Sequence, residues 1–282
     1  MVLPPEEEVA LGRQISAEVE AHYELHPDEE LQRYVAFLGD SIVAATGEKR
    51  PEISWSFKVI DDPDSVNAMA LPGGFIYLFS GLLLIMETEA ELVGVIAHEM
   101  AHVNLRHIAE RLATIYGIEV LGAVALGRDP STLRRIIATI VAQGYLLRYS
   151  RGQEREADAE AIEYMILAGW DPLELASFFA RLEAAARPPQ WLSTHPSPEN
   201  RAAYVQERVA GREVPSRTGR ERFREVQERL LLEGQVKDGA SGKGIPSRHT
   251  SEAGGHPSCL LDRVSKETGK SKCIGAGGGL GR

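Results

Sequence analysis

Cysteine is nearly missing from this chain. It has two in 282 residues, Cys259 and Cys273, both near the C-terminus. The body therefore has no disulfide framework and no thiol nucleophile, although this says nothing about its redox compartment. Long apolar runs are missing as well. The two best, from Ile115 to Gly127 and from Ile136 to Leu147, are each about a dozen residues, short of the roughly 20 needed to span a bilayer. Gly117, Gly122 and Gly127 interrupt the first, and Gln143 and Gly144 the second. Separated by the polar stretch 128–135, they are expected to form an αα-hairpin rather than a transmembrane span, with membrane-surface contact through 115–147 left open. Positive charge is scarce: the net charge of −10 argues against nucleic-acid partners. The imbalance is uneven, since residues 239–282 carry seven Lys/Arg against three Asp/Glu, a net of +4 that leaves −14 for 1–238. Met1 to Glu8 turns acidic at once and shows no leader pattern. No 34-residue helical repeat is present.

What is present is His98-Glu99-Met100-Ala101-His102. On a helix, positions i and i+4 share a face, so both imidazoles can reach one metal ion. Glu99 sits at the edge of that face, where its carboxylate can reach a metal-bound water. The preceding run 88–97 has helical apolar spacing, acids in its first turn, and Thr88 with Glu91 three residues on as a capping box. One further protein ligand is needed. The acidic helical segment from Ser150 to Tyr164 offers two pairs at the same i, i+4 spacing, Glu154/Asp158 and Glu156/Glu160, and geometry alone does not choose between them.

His98-Glu99-Met100-Ala101-His102, Ser150-Arg151, Glu154-x-x-x-Asp158 and Thr194-His195-Pro196, in that order, resemble the M48 zinc metallopeptidases, a gluzincin family. The likeness covers most of residues 5–205, including Leu11-Gly12-Arg13-Gln14 and the stretch from Asn67 to Gly74. It is greatest to the soluble, periplasmic BepA-like branch, without its TPR region. The resemblance implies an α+β fold, predominantly helical: a zincin-type domain with a small mixed or antiparallel sheet beside the motif helix. It implies one Zn²⁺ held by His98, His102 and Glu154, with Asp158 orienting a histidine ligand. It implies a zinc-dependent endopeptidase acting on unfolded or misassembled proteins through a zinc-activated water, with Glu99 as general base. His195 would stabilise the oxyanion or ligate the zinc and hold the enzyme latent. Substrate would lie extended along an edge strand formed by Gly73, Gly74, Phe75, Ile76 and Tyr77, with Asn67 as a further contact. The setting implied is periplasmic or otherwise exported, the alternative being cytoplasmic. A chaperone-like protein that uses the same cleft without turnover is the rival reading.

Along the chain, helices are expected at 6–24, at 28–46 with Asp28 as cap, and at 88–107. Further helices are expected from the Glu154 segment to Ala168, then at 172–186, 198–209 and 217–233. Strands are expected at Ile53 to Ile60, around Asn67, and from Gly73 to Phe79. The expected organisation is a peptidase domain at 1–212, a C-terminal helix at 213–238, and a disordered Gly/Ser/Lys-rich tail at 239–282. The spacing of His249, His256, Cys259 and Cys273 in that tail fits no standard metal pattern.

Overall fold

The computed structural model describes residues 3–47, 49–143, 148–186, 189–196 and 200–240. The tail from 241 onward, with His249, His256, Cys259 and Cys273, lies outside the described residues, as do 144–147 of the expected hairpin and the expected helix start at Pro198-Glu199. Residues 1–237 form one compact unit.

Helix α1 (Pro5–His22) opens with proline in its first turn and three glutamates against the positive end of its dipole. Helix α2 (Glu29–Thr46) is capped as its sequence suggests, Asp28 Oδ1 accepting from the Glu30 and Leu31 amides at 2.8 and 3.2 Å. Three short strands follow: β1 (Ser56–Ile60), β2 (Ala68–Leu71) and β3 (Phe75–Phe79), in the order β1-β3-β2. β3 runs parallel to β1, with Ser56 opposite Phe75, and antiparallel to β2, with Ala68 opposite Leu78. The sheet is thus mixed. β1 is shorter than its alternation suggested because its ladder can begin only where β3 begins.

This topology corrects one expectation. β3 is the middle strand, so its backbone is paired on both sides, and Phe75, Ile76 and Tyr77 offer no edge to a substrate. Gly73 and Gly74, at φ 78° and 91°, form the turn between β2 and β3. Alternation in sequence marks a strand but is blind to its neighbours, and here a parallel partner 19 positions earlier closes the side that an edge strand would leave free. The outer flank of β1 is sealed too. The Gln32 side-chain amide donates to the Val59 carbonyl and accepts from its N–H, both at 2.9 Å, standing in for a strand. β2 is the remaining edge, pairing only with β3 among the described residues. Gly12 of α1 crosses the β2–β3 turn so closely that a Cβ there would lie 1.7 Å from the Pro72 carbonyl oxygen.

Beyond α3 (Ser80–Ile85), helix α4 (Glu89–Asn104) carries the metal motif and is buried from Glu89 to Val103. Its start is half the capping box expected: Thr88 Oγ accepts from the Glu91 amide, but the Glu91 carboxylate accepts from Glu87 N–H instead of Thr88. The 88–107 expectation overran because Arg106, at φ 62°, ends that helix and starts another, α5 (His107–Tyr116). The expected hairpin is broken further at Gly117 and Gly127, giving α6 (Ile118–Ala125) and α7 (Pro130–Gln143), which pack on α1. No helix of the described residues is long and apolar enough to cross a membrane. Helix α8 (Arg151–Leu167) lies along α4. It is followed by α9 (Leu173–Ala184), the short α10 (Gln190–Thr194), α11 (Arg201–Val209) and α12 (Arg220–Ala240).

Candidate metal centre

The i, i+4 spacing on α4 turns His98 and His102 the same way, their Nε2 atoms 3.1 Å apart and both rings without solvent exposure. Helix α8 is started by a full capping box, Ser150 and Gln153 each bonding the other's backbone N–H. That phase points Glu154 and Asp158 inward. Glu154 Oε2 is 3.5 Å from His98 Nε2, and Oε1 is 3.4 Å from His102 Nε2. The rival pair faces outward: the Glu156 side chain is 67% exposed and Glu160 binds Lys49 at 2.7 Å. Burial separates the two pairs where spacing alone did not. His195 ends α10 rather than sitting in an open loop, and its Nδ1 lies 3.0 Å from Glu154 Oε1 and 3.2 Å from His98 Nε2.

One donor atom from each of His98, His102, Glu154 and His195 lies within 4.8 Å of the others, a group that could hold a metal ion. The donors themselves suit a cation. Two imidazole nitrogens face each other at hydrogen-bond distance around a carboxylate whose Oε2, though buried, has no hydrogen-bond partner. Glu99 is also buried. Its Oε1 accepts from the Trp191 indole N–H at 3.2 Å and lies 3.3 Å from His195 Nε2, while its Oε2 has no partner.

The site's charges are set by its walls. Burial disfavours a charged His98, but the carboxylates of Asp158, 3.0 Å from its Nδ1, and Glu154 outweigh that and raise its pKa to about 9. Burial dominates at His102 and keeps that ring neutral, with His98 and His195 adding to the effect. Burial opposes ionisation of Glu154 too, yet the surrounding histidines hold its pKa well below the usual range. Asp158 is lowered against its own burial, chiefly by Arg201.

Arg201 was not found from sequence. It is 1% exposed, grips Asp158 through Nε at 2.8 Å and Nη2 at 2.5 Å, and lies 3.9 Å over the Phe179 ring. Trp191 and Tyr149 were missed as well. The Trp191 ring stacks on His195 at 4.7 Å, and its backbone N–H donates to the Val66 carbonyl beside Asn67, just ahead of β2. Tyr149 stacks on His102 at 3.7 Å, and its N–H donates to the Thr194 carbonyl, tying the start of α8 to the His195 segment. An arginine opening a polar helix, or a tryptophan after two prolines, carries no local pattern pointing to such roles. Asn67 is fully buried at the head of β2.

Two histidines from α4, a glutamate from α8 and a second carboxylate with one unpaired oxygen beside them make a gluzincin-like arrangement. Residues 28–209 match peptidase family M48, and the chain belongs to that family. It is 31% identical to the β-barrel assembly-enhancing protease of Yersinia pestis over 217 residues, 72% of this chain and 44% of that protein. The corresponding protein of Escherichia coli strain K12 is 30% identical over 218 residues, with the same coverage. The mitochondrial metalloendopeptidase OMA1 of Schizosaccharomyces pombe is 32% identical over 190 residues, 66% of this chain and 55% of that protein. The chain thus spans about half the length of these relatives.

Proposed function

We propose that this chain is a zinc-dependent endopeptidase that cleaves unfolded or misassembled proteins. The observation that carries the reading is the ring of His98, His102, Glu154 and His195 donors with the unpaired Glu99 Oε2 buried beside it. Imidazole and carboxylate donors in a set of this size suit zinc. When bound, zinc supplies Lewis acidity, acidifying water and polarising a carbonyl. Glu99 does the proton work. With Oε1 held by Trp191, Oε2 is the atom free to take a proton from the attacking water and return it to the leaving amine. Asp158, fixed by Arg201, keeps the His98 ring turned with Nε2 inward.

His195 has two uses. As a fourth donor it completes a closed set, the arrangement of a resting, latent site. Displaced from that position, its imidazole stabilises the developing oxyanion. The peptide lies along the edge of β2 that no strand pairs, in place of β3, so that backbone pairing gives affinity with little sequence demand. Ala68 to Leu71 are at most 4% exposed, so what covers that edge must part first. Asn67 adjoins that edge. Likeness to proteases named for β-barrel assembly supports an exported, periplasmic setting, against a cytoplasmic alternative. The same closed four-donor set favours a second reading, a chaperone-like protein that holds unfolded chains without turnover.

Cleavage of dye-quenched unfolded casein by the zinc-loaded protein separates these. Glu99→Gln is expected to keep zinc at wild-type stoichiometry and lose about 100-fold or more in rate. His195→Ala weighs its two uses: cleavage faster than wild type makes latency the larger one, and slower cleavage makes it oxyanion stabilisation. An undiminished Glu99→Gln would sink the mechanism. Stoichiometric casein capture with no zinc-dependent turnover in any variant would select the holding protein.

A further inference from the structure

Helix α4 does not end at solvent. After Asn104 the chain bends at Arg106, in left-handed backbone that an L-residue adopts only at a cost. Arg106 Nε is anchored on Glu8 at 2.8 Å. The bend returns His107 beneath His102, with the two Nδ1 atoms 3.0 Å apart and His107 only 2% exposed. The other ring nitrogen of His107, Nε2, lies 3.1 Å from Glu156 Oε2. Glu156, His107 and His102 therefore stand in series, and His102 turns its Nε2 toward His98 and Glu154.

We propose that His107, backed by Glu156, is a positioning residue for His102. This rests on the reading that His102 Nε2 is a metal ligand. A neutral imidazole that offers the Nε2 lone pair to a cation carries its proton on Nδ1. That N–H donates to His107 Nδ1, which must then be the unprotonated nitrogen of its ring. The His107 proton sits on Nε2 and is donated to the Glu156 carboxylate. The opposite tautomer of His107 would press two N–H groups together at 3.0 Å in a buried space. One proton order satisfies every atom in the series.

The arrangement supplies something the rest of the site does not. Tyr149, stacked on His102 at 3.7 Å, fixes the plane of that ring but not its rotation within the plane. The bond from Nδ1 to His107 fixes that rotation and so aims Nε2. His98 receives the equivalent service directly from Asp158. Glu156 is mostly exposed, so its pull is screened and His107 carries the larger share.

Zinc affinity by competition with a chromogenic chelator tests this, together with unfolding of each protein with and without zinc. His107→Phe keeps a ring but removes the acceptor, and is expected to weaken zinc about 10- to 100-fold, as outer partners of ligating histidines do. The stability it loses should be mainly the increment that zinc adds. His107→Asn places a carbonyl oxygen near the former Nδ1 and should recover affinity to within about threefold of wild type, with Glu156→Ala losing about threefold. If His107→Phe does not fold, His107→Leu takes its place against His107→Asn. Wild-type affinity in His107→Phe, or equal weakening in His107→Phe and His107→Asn, would overturn the proposal and leave the zinc site intact. Failure of the wild type itself to bind zinc would remove the reading beneath it.

Discussion

At the scale of single residues, Arg201 holds together more buried charge than any motif residue. Its guanidinium lies without solvent between Asp158 and Glu154, and against His98. Removing one member of such a group leaves an uncompensated buried charge, a loss of about 3–5 kcal/mol. Arg201→Met should lose that much in urea unfolding, and Arg201→Lys should recover little, because an ammonium cannot make the paired contacts or stack on Phe179. A loss under about 1 kcal/mol would mean that Asp158 is held by other groups. His98, Glu99 and His102 were legible because i, i+4 geometry is local. Arg201, Trp191 and Tyr149 were not, because their roles arise from chains 40 to 100 positions away folding onto the same point. Between the two cases stands Glu154. Its helix was legible and its spacing was shared, so only burial could single it out, or the family likeness that named it.

At the scale of elements, helix starts were read well and sheet neighbours poorly. Asp28 shows why the first succeeds, since a cap is a contract among residues two or three apart. It also pins α12, its carboxylate meeting Arg229. Partial burial acts to raise the pKa of Asp28, but the Leu31 and Glu30 amides and then Arg229 lower it. A carboxyl lowered in the folded state adds stability above its unfolded pKa of about 3.9, stability that is lost as pH falls through the folded value. Asp28→Ala should therefore cost about 1 kcal/mol at pH 7. Its deficit against wild type should narrow below about pH 4 in the same urea experiment. A deficit that widens in acid would reverse the assigned sign. The sheet shows why the second fails. The strand pattern of Phe75–Phe79 is the same at an edge or in the middle, and the parallel partner that makes it central is set by tertiary folding.

At the scale of the whole molecule, the segment after α11 braces the front of α4. The Thr218 carbonyl accepts from Ala90 N–H, Arg217 lies 3.6 Å over Trp170, and Gln227 donates to the Leu83 and Met86 carbonyls. Phe223 is fully buried in the otherwise charged first turns of α12. Phe223→Ala is expected to cost about 3–5 kcal/mol, and to melt together with the motif helix when both are followed by hydrogen exchange. Early local loss of α12 alone would show the brace to be independent. That packing was not legible from a run of Arg and Glu interrupted by one phenylalanine.

The four donors sit on residues 98, 102, 154 and 195, and the body that carries them has no cysteine. A cation shared by all four would act as a removable rivet across three separate helices, taking the place a covalent cross-link holds in other proteins. Under the proposed latency, letting His195 go to admit a peptide would open that rivet on the α10 side. Such a molecule is at its sturdiest when idle, and each turnover is a brief excursion toward looseness.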